Sequence, residues 1–475
     1  MRRILIFLLI LLLAAGSLVY ASAGLFELED DLTITQEVLF GDPDALRGQT
    51  ARIHYNGGDH LHWYTDYSFG AEPVYSTEFQ FVQERQVPEN PVSRSLEIFG
   101  YQGGGTSISG GHFELADTLL GRMARDVALQ TPNGETFSMN LPLRDYTDTY
   151  PLMFDLGFST EEMGCWLSTG MELDPETDEI MNRDREWAEE FSGLFRFPVP
   201  QDAIFQLEVS TDEEGNLYSV LVNPLNVPDC GFRGTATEDG LYLVPYFRDP
   251  KGQPLEGSYP DGMGLYRIPW KTVNTWNRRT KDGETVTQQE VLPDLSRIEN
   301  ICPLDSRTDP IDFRISGDGT TAWMLSREHD TCVLTVVDLT RGTIRSRIEL
   351  LPAGPNPGSL HTTYANGYLV AADCGKLALV DLAGDGHLEF FTDAGAAEEF
   401  LERLYLGQTD FCLGYDGTQL VLVNQSNVPD YAFWAAAFTA DGLQFLGRYT
   451  SSFDSLAFWG YSFAVSNFYN PITLQ

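Results

Sequence analysis

The sequence has few basic side chains for its length, and this shortage excludes several classes of partner. Only 30 lysines and arginines stand against 69 aspartates and glutamates, so the formal net charge is −39 over 475 residues. Affinity for nucleic acid comes mainly from basic side chains that neutralise phosphates. We therefore exclude nucleic acid as a partner. The same charge balance argues against docking of the protein body on an anionic membrane surface.

Cysteine is scarce too, and the motifs of the common catalytic sites are absent. No Cys-x-x-Cys pair occurs, which argues against thiol redox chemistry and a zinc ribbon. There is no Gly-x-Ser-x-Gly elbow, no Walker loop and no zincin helix motif. The sequence therefore names no catalytic residue and predicts no cofactor. The six cysteines are even in number, but their spread along the chain names no disulfide pair: Cys165, Cys230, Cys302, Cys332, Cys374 and Cys412.

The first 23 residues have the order of an export signal. Arg2 and Arg3 precede a wholly apolar run, and Ala21 and Ala23 are placed as in an A-x-A cleavage site. Because no charge occurs between Arg3 and Glu27, the same stretch is long enough to span a bilayer if it is not cut. We expect residues 1–23 to be a signal peptide or a signal anchor helix. In either case the rest of the chain is extracytoplasmic, secreted or anchored to the membrane by its N-terminal segment.

Short strands and glycine turns repeat along the second half of the chain. Gly319, Gly367 and Gly417 each precede an apolar strand and lie about 50 residues apart. Asp-Gly and Asn-Gly turns reach positive φ at little cost and so reverse the chain between antiparallel strands. A spacing of about 40–50 residues with several strands per unit is typical of β-propeller blades.

The repeat also resembles a known family. A Ser-x-Asp-Gly turn at residue 316, a Val-Asp-Leu strand ending at 339 and a Gly-Thr strand from 342 are similar to repeats of lactonase-like and quinoprotein-like propellers. The resemblance is clear over residues 311–450 and concerns the fold. It implies a ring of four-stranded sheets, and no catalytic residue of those families can be placed on this sequence.

We therefore predict an all-β chain, a β-propeller over residues 24–475 with about seven blades, six to eight allowed. Residues 24–190 are less regular, which leaves a separate N-terminal domain as an alternative. Hydrophobic spacing predicts short helical insertions in three places: 115–129, 174–191 and 394–406. Residues 32–39 and 462–467 both resemble strands, so the two ends of the chain are expected to pair within one blade.

One hairpin carries the candidate metal ligands. With Tyr55 opposite Asp59 across a three-residue turn, His54 falls opposite His60, and His62 lies on the same face. Neutral imidazoles suit zinc and similar ions. The solvent face of a short hairpin explains the same pattern, and no further ligand can be named, so a bound metal stays a secondary hypothesis.

An acidic stretch resembles a calcium loop but departs from it at the positions that matter. Its oxygen-bearing residues alternate, yet Glu179 replaces the turn glycine and Arg185 the final carboxylate. We interpret the stretch as the solvated face of a helix. Its members are Asp174, Glu176, Asp178, Asn182 and Asp184.

These observations favour an extracytoplasmic binding or scaffold protein without catalysis of its own. Loops on a rigid propeller would present its site to an unidentified protein, peptide or glycan ligand. Two alternatives remain: an extracytoplasmic hydrolase or lyase acting on a glycan or lactone, and a membrane-tethered sensor domain. We expect a monomer that meets the membrane only through an uncut N-terminal segment.

Overall fold

The computed structural model forms two compact units. One contains residues 1–89 and 350–475, and the other contains residues 90–349. The sequence instead suggested a change of regularity near residue 190. The residues described below are 6, 10–17, 19–20, 33–56, 61–81, 93–107, 118–169, 179–279, 285–306, 308–352, 360–365, 367–373, 376–382, 387–391, 412–425, 432–452 and 472–474. Among them, no helix is both long enough and apolar enough to cross a membrane.

The described chain is mostly β, as the sequence predicted. Its strands are β1 Ile34–Gly41, β2 Thr50–Asn56, β3 Leu61–Ser68, β4 Val74–Phe81, β5 Ser93–Gly100, β6 Gly104–Ser107, β7 Thr136–Pro142, β8 Leu152–Ser159, β9 Met163–Thr169, β10 Ile204–Thr211, β11 Leu217–Leu225, β12 Asp229–Thr237, β13 Gly240–Arg248, β14 Gly264–Arg279, β15 Thr285–Pro293, β16 Glu299–Pro303, β17 Asp309–Ile315, β18 Thr321–Glu328, β19 Thr331–Asp338, β20 Thr343–Pro352, β21 His361–Ala365, β22 Tyr368–Asp373, β23 Lys376–Asp381, β24 His387–Phe391, β25 Cys412–Tyr415, β26 Leu420–Gln425, β27 Ala432–Thr439, β28 Gly442–Ser451 and β29 Ile472–Leu474.

Two of the three predicted helices lie in the described part of the chain. Helix α1, Leu119–Ala128, begins after Thr118, whose Oγ1 accepts a hydrogen bond from the Gly121 amide at 3.1 Å. Its apolar face packs on β7 and β10. Helix α2, Glu179–Leu194, covers the second prediction from residue 179 onward. Residues 170–178 and the predicted helix 394–406 lie outside the described residues.

Seven strands in the unit of residues 90–349 form a closed barrel. Their order is β13-β12-β5-β8-β9-β15-β14, and β14 pairs back to β13. All contacts around the barrel are antiparallel except that between β9 and β15. This parallel contact joins only Met163 with Gln289 and Gly164 with Glu290, and we call it the seam. A barrel was not predicted from the sequence.

Aromatic side chains from α2 and the segment after it pack into the core of the barrel unit. Trp187 and Phe191 of α2 contact Phe154 of β8, with ring centroids 5.4 and 5.3 Å apart. Phe195 contacts Phe232 of β12 at 5.1 Å. All five rings are buried in one cluster with residues from β5, β9, β13 and β14. Several strands of the barrel therefore share one continuous aromatic core.

Three consecutive antiparallel sheets, each with four strands in chain order, follow the barrel, and β1 adds a fifth strand to the last of them. This confirms the predicted strand repeats. The three sheets contain β17–β20, β21–β24 and β25–β28. The predicted turns adopt left-handed backbone conformations, with φ of 71° at Gly319, 82° at Gly367 and 96° at Gly417. Glycine is favoured at these three positions because residues that carry a side chain rarely adopt such positive φ angles.

In the unit of residues 1–89 and 350–475, the sheet β25–β28 is covered on both faces. One face packs on β22 and β23, where Leu379 and Leu422 share a buried cluster. The other packs on β2–β4, where Val423 and Tyr67 share a second cluster. Sheets in this unit therefore stack face to face through apolar residues. Their closure into a propeller ring belongs to the proposals below.

The N-terminal strand completes a sheet near the other end of the chain. β1 pairs antiparallel with β28, from Ile34 opposite Ser451 to Gly41 opposite Phe445. The Thr33 amide donates to Ser452 Oγ at 2.8 Å across 419 positions of sequence. The structure thus joins β1 to a strand near the other end of the chain. The partner expected from the sequence, 462–467, lies outside the described residues, so that pairing stays a prediction.

The described cysteines lie in the core. Cys165, Cys230 and Cys302 are free and buried, and Cys332 is buried too. Cys374 lies outside the described residues, and only the backbone of Cys412 is described. The three free thiols therefore act as small apolar side chains of the core.

Candidate binding surface

The histidine hairpin forms, but in a register other than the predicted one. β2 pairs with β3 so that His54 lies opposite Tyr64 and His62 opposite Asn56. The predicted pairing of His54 with His60 is wrong, because the observed register is shifted by four residues. His54 and His62 still share a face, since their positions differ from the predicted register by an even number of residues.

The metal hypothesis for these histidines stays a prediction. His60 and the side chains of His54 and His62 lie outside what the structure describes. Across the residues that it does describe, no three His, Cys, Asp or Glu side chains come close enough to hold a metal ion. The described chain therefore offers other features as candidate sites, and three of them carry charged or exposed groups.

The first feature is a charged cluster at the barrel seam. The interpretation of Asp184 as part of a solvated helix face is wrong, because its side chain is only 6% exposed. It accepts from Arg183, whose Nη2 lies 3.0 Å from Asp184 Oδ1. Arg183 also donates through Nη1 to Glu290 of β15 at 2.7 Å. Asp184 further accepts from the backbone of Ser168 in β9. Helix α2 thus ties together the two strands that the seam joins weakly.

Electrostatics at the seam indicate structural rather than catalytic use. Burial raises the pKa of Asp184, and the adjacent Arg183 guanidinium opposes that shift. Burial, reinforced by the charge of Asp184, raises the pKa of Cys165 to about 12. A thiol with this pKa stays protonated at neutral pH and is a poor nucleophile. The Trp187 indole adds a bond to the Pro293 carbonyl at 2.9 Å. The cluster acts as a clamp on the seam.

The second feature is a buried ion pair at the end of β13. Arg248 donates through Nε to Asp309 of β17 at 2.5 Å and through Nη1 to Asp229 at 3.1 Å. Its Nη2 lies 3.4 Å from the Pro310 carbonyl oxygen, and its guanidinium carbon is 5.1 Å from the centroid of the Tyr246 ring. The Arg248 and Asp309 side chains are each 5% exposed. All three guanidinium nitrogens have protein partners, so this pair ties β17 to the barrel and is not open to a ligand.

The third feature is a two-stranded ribbon, formed where β14 and β15 extend beyond the barrel, with its β14 strand exposed and its β15 strand partly buried. β14 pairs with β13 only as far as Pro269, and from Trp270 to Arg279 it pairs with β15 alone. Every residue of 271–279 is exposed. Side-chain hydrogen bonds fix the ribbon, from Thr272 to Gln289 at 2.8 Å and from Thr287 to Asn277 at 3.2 Å. We call residues 271–279 and 285–290 the arm.

One face of the arm combines a large aromatic ring with positive charge. Lys271, Asn274, Trp276 and Arg278 lie opposite alternate residues of β15, so they share this face. The Trp276 side chain is 38% exposed. Residues 271–279 contain three basic side chains and no acidic one, in a protein whose net charge is −39. The arm is therefore a basic, aromatic surface on an acidic protein.

In the described part of the chain both long edges of the arm lack strand partners, except where Gln289 and Glu290 pair with β9 at the seam. Residues 271–279 pair only with β15, and 285–288 pair only with β14. A sheet edge presents a row of backbone donors and acceptors that another strand can satisfy. The arm was not predicted from the sequence. Its signal was a run of polar, threonine-rich residues around Trp276 with basic side chains and no apolar stripe.

Comparisons with known proteins give no family for this chain. No family model matches it, and no curated protein matches it. Among solved structures, hydrazine synthase of Kuenenia stuttgartiensis is 12% identical, with 50% of this chain and 73% of that chain covered and a TM-score of 0.20. Apo AztD from Citrobacter koseri is 10% identical, covering 71% and 93%, with a TM-score of 0.19. A provisionally assigned 6-phosphogluconolactonase from Bacteroides fragilis is 12% identical, covering 73% and 95%, with a TM-score of 0.17. Scores this low carry no argument, and the likeness to lactonase-like proteins remains weak and fold-level.

Proposed function

We propose that this protein is an extracytoplasmic binding or scaffold module that uses the arm as its binding surface. One observation carries the proposal: all nine residues of 271–279 are exposed, including Trp276, on a ribbon that ordered hydrogen bonds hold in place. An isolated two-stranded ribbon is marginal in water. Tryptophan and arginine, both present on the arm, are among the side chains that interfaces favour at their centres.

Export is part of the same proposal and rests on the sequence. Arg2, Arg3 and the apolar run after them support a signal peptide or anchor over residues 1–23. Free cysteines in an exported chain are compatible with this address when they are buried, because burial keeps the thiols protonated and inaccessible.

We also propose that the four-stranded sheets β17–β20, β21–β24 and β25–β28 are propeller blades. Their chain order, their repeat of about 50 residues and the apolar stacking of β22–β23, β25–β28 and β2–β4 support this assignment. The pairing of β1 with β28 corresponds to the strand exchange by which such rings remove an open edge.

The test is to screen the purified full chain against arrays of peptides and glycans, beside a variant with Trp276→Ala and Arg278→Ala. We expect retention of one class of ligand by the natural protein and at least tenfold weaker retention by the variant. A control variant with Tyr218→Ala and Lys251→Ala removes an exposed aromatic ring and an exposed basic side chain away from the arm. It should bind as the natural protein does.

Two outcomes contradict the proposal. Equal retention by the arm variant, or no retention at all, removes the arm as a binding surface. Hydrolysis of a retained glycan, or of a lactone tested beside the arrays, makes the protein an enzyme instead.

A further inference from the structure

We infer that the arm takes up an acidic protein segment in extended conformation, which adds as a further strand along the free edge of β14. This inference rests on the proposed function and names its partner class and binding mode. It combines three properties of the arm: unpaired backbone groups, positive charge and one exposed indole.

The unpaired edge decides between a peptide and other anionic partners. Residues 271–279 of β14 have strand pairing on one side only within the described chain. An added strand satisfies the row of N–H and C=O groups on the other side, which a polysaccharide or a lipid headgroup cannot match in spacing. Main-chain hydrogen bonds then supply affinity, and the side chains of the arm supply selectivity.

Charge selects the sequence of the added strand. Lys271 and Arg278 lie on the face of Trp276 and make no ion pair with any described residue. Side chains on one face of a strand recur about every 7 Å, which is two residues. An extended segment with acidic residues at alternate positions therefore presents its carboxylates on the face that carries these cations and Trp276, while its other side chains point to the opposite face.

The experiment uses a defined probe and the full chain. The probe is a nine-residue, end-capped peptide that alternates glutamate with valine, and its binding is followed by fluorescence anisotropy of an attached dye. A second probe has the same sequence with N-methyl groups at every backbone nitrogen, which keeps its charge and removes the donors of both edges. A sulfated oligosaccharide of equal charge is the third.

We expect saturable binding of the first probe and at least tenfold weaker binding of the N-methylated one. Lys271→Glu together with Arg278→Glu should weaken binding of the first probe at least tenfold. The matched control is Lys251→Glu with Arg345→Glu, which makes the same charge change at exposed residues outside the arm and should leave binding unchanged. Urea denaturation of each variant checks that the fold is retained.

Each contrary result overturns the inference in a distinct way. If the N-methylated peptide binds as tightly as the first probe, strand addition is refuted. If the oligosaccharide binds more tightly than the first probe, the partner of the arm is an anionic glycan and not a peptide. An equal loss of binding in the control variant would show that binding depends on the net charge of the protein and not on the arm. Absence of binding by all three probes refutes the acidic partner. The proposed function fails only if the arm-dependent retention on the arrays is absent as well.

Discussion

Arg248→Met gives a quantitative test of the ion pair that ties β17 to the barrel. The substitution leaves the Asp309 carboxylate 5% exposed and removes the guanidinium at 2.5 Å from it. Breaking a buried pair from one side costs about 3–5 kcal/mol, since the buried charge loses its hydrogen-bonded partner. Arg327, whose charge also lowers the pKa of Asp309, places the expected loss at the lower end of this range. Asp229, the other carboxylate partner, is 52% exposed and adds little to this figure because water screens it.

The sign of the pH dependence follows from the pKa of Asp309. Burial raises that pKa, and Arg248 lowers it. Without Arg248 the folded-state pKa rises further above the unfolded value, so the native state of the variant holds the proton more tightly than the unfolded chain does. The loss of stability in Arg248→Met should therefore be small near pH 4 and should grow as the pH rises through the folded pKa to its full value near pH 8.

The assay is urea denaturation followed by circular dichroism at several pH values, with hydrogen exchange in β13 and β17 to assign the transition to this unit. The double variant Arg248→Met with Asp309→Leu removes both charges and should recover most of the stability at pH 8. A loss below about 1 kcal/mol, or a loss that is the same at pH 4 and pH 8, would refute the reasoning about the buried carboxylate.

Three further predictions address the seam, the closing strand and the core thiols. Arg183→Gln should destabilise the barrel by about 3 kcal/mol, because Asp184 loses its cation, and should speed hydrogen exchange in β9 and β15 before the other strands; uniform acceleration contradicts the clamp. Gly41→Ala should lower the free energy of unfolding by more than about 3 kcal/mol, whereas Gly48→Ala should lower it by about 1 kcal/mol. Both glycines have positive φ, but a Cβ at Gly41 overlaps the Gln444 carbonyl while that at Gly48 meets nothing, so equal melting temperatures contradict this account. Native Cys165 should react with iodoacetamide at pH 8 roughly a thousandfold more slowly than in urea, given its raised pKa, as mass spectrometry of its peptide will show; equal rates would mean that the thiol is open to solvent.

Local patterns predicted the repeated sheets well and the barrel not at all. The turns at Gly319, Gly367 and Gly417 depend on residues that are adjacent in sequence, so their strands could be read directly. The barrel closes through contacts such as that of Ile98 in β5 with Phe232 in β12, which no local periodicity encodes. Strand pairing between distant segments is decided by tertiary packing.

The candidate site shows the same division. Arg183 and Asp184 were visible only as parts of an acidic helical run, because Glu290, which shares Arg183 with Asp184, lies more than 100 residues away. The hairpin register of His54 depended on an assumed turn length and was wrong. The arm escaped notice since none of residues 271–279 is buried, and alternation of apolar and polar residues is the signal by which strands are recognised.

The union of β1 with β28 has a consequence for biosynthesis. Thr33 gains its hydrogen-bond partner only after Ser452, 419 positions later, has been synthesised. At a synthesis rate of about 5–20 residues per second, roughly 20–80 s pass with the first strand made and its docking site still absent. During this interval a chaperone or a translocation channel has to shield the segment. A chain whose synthesis ends before residue 442 lacks β28, so its last sheet cannot be completed.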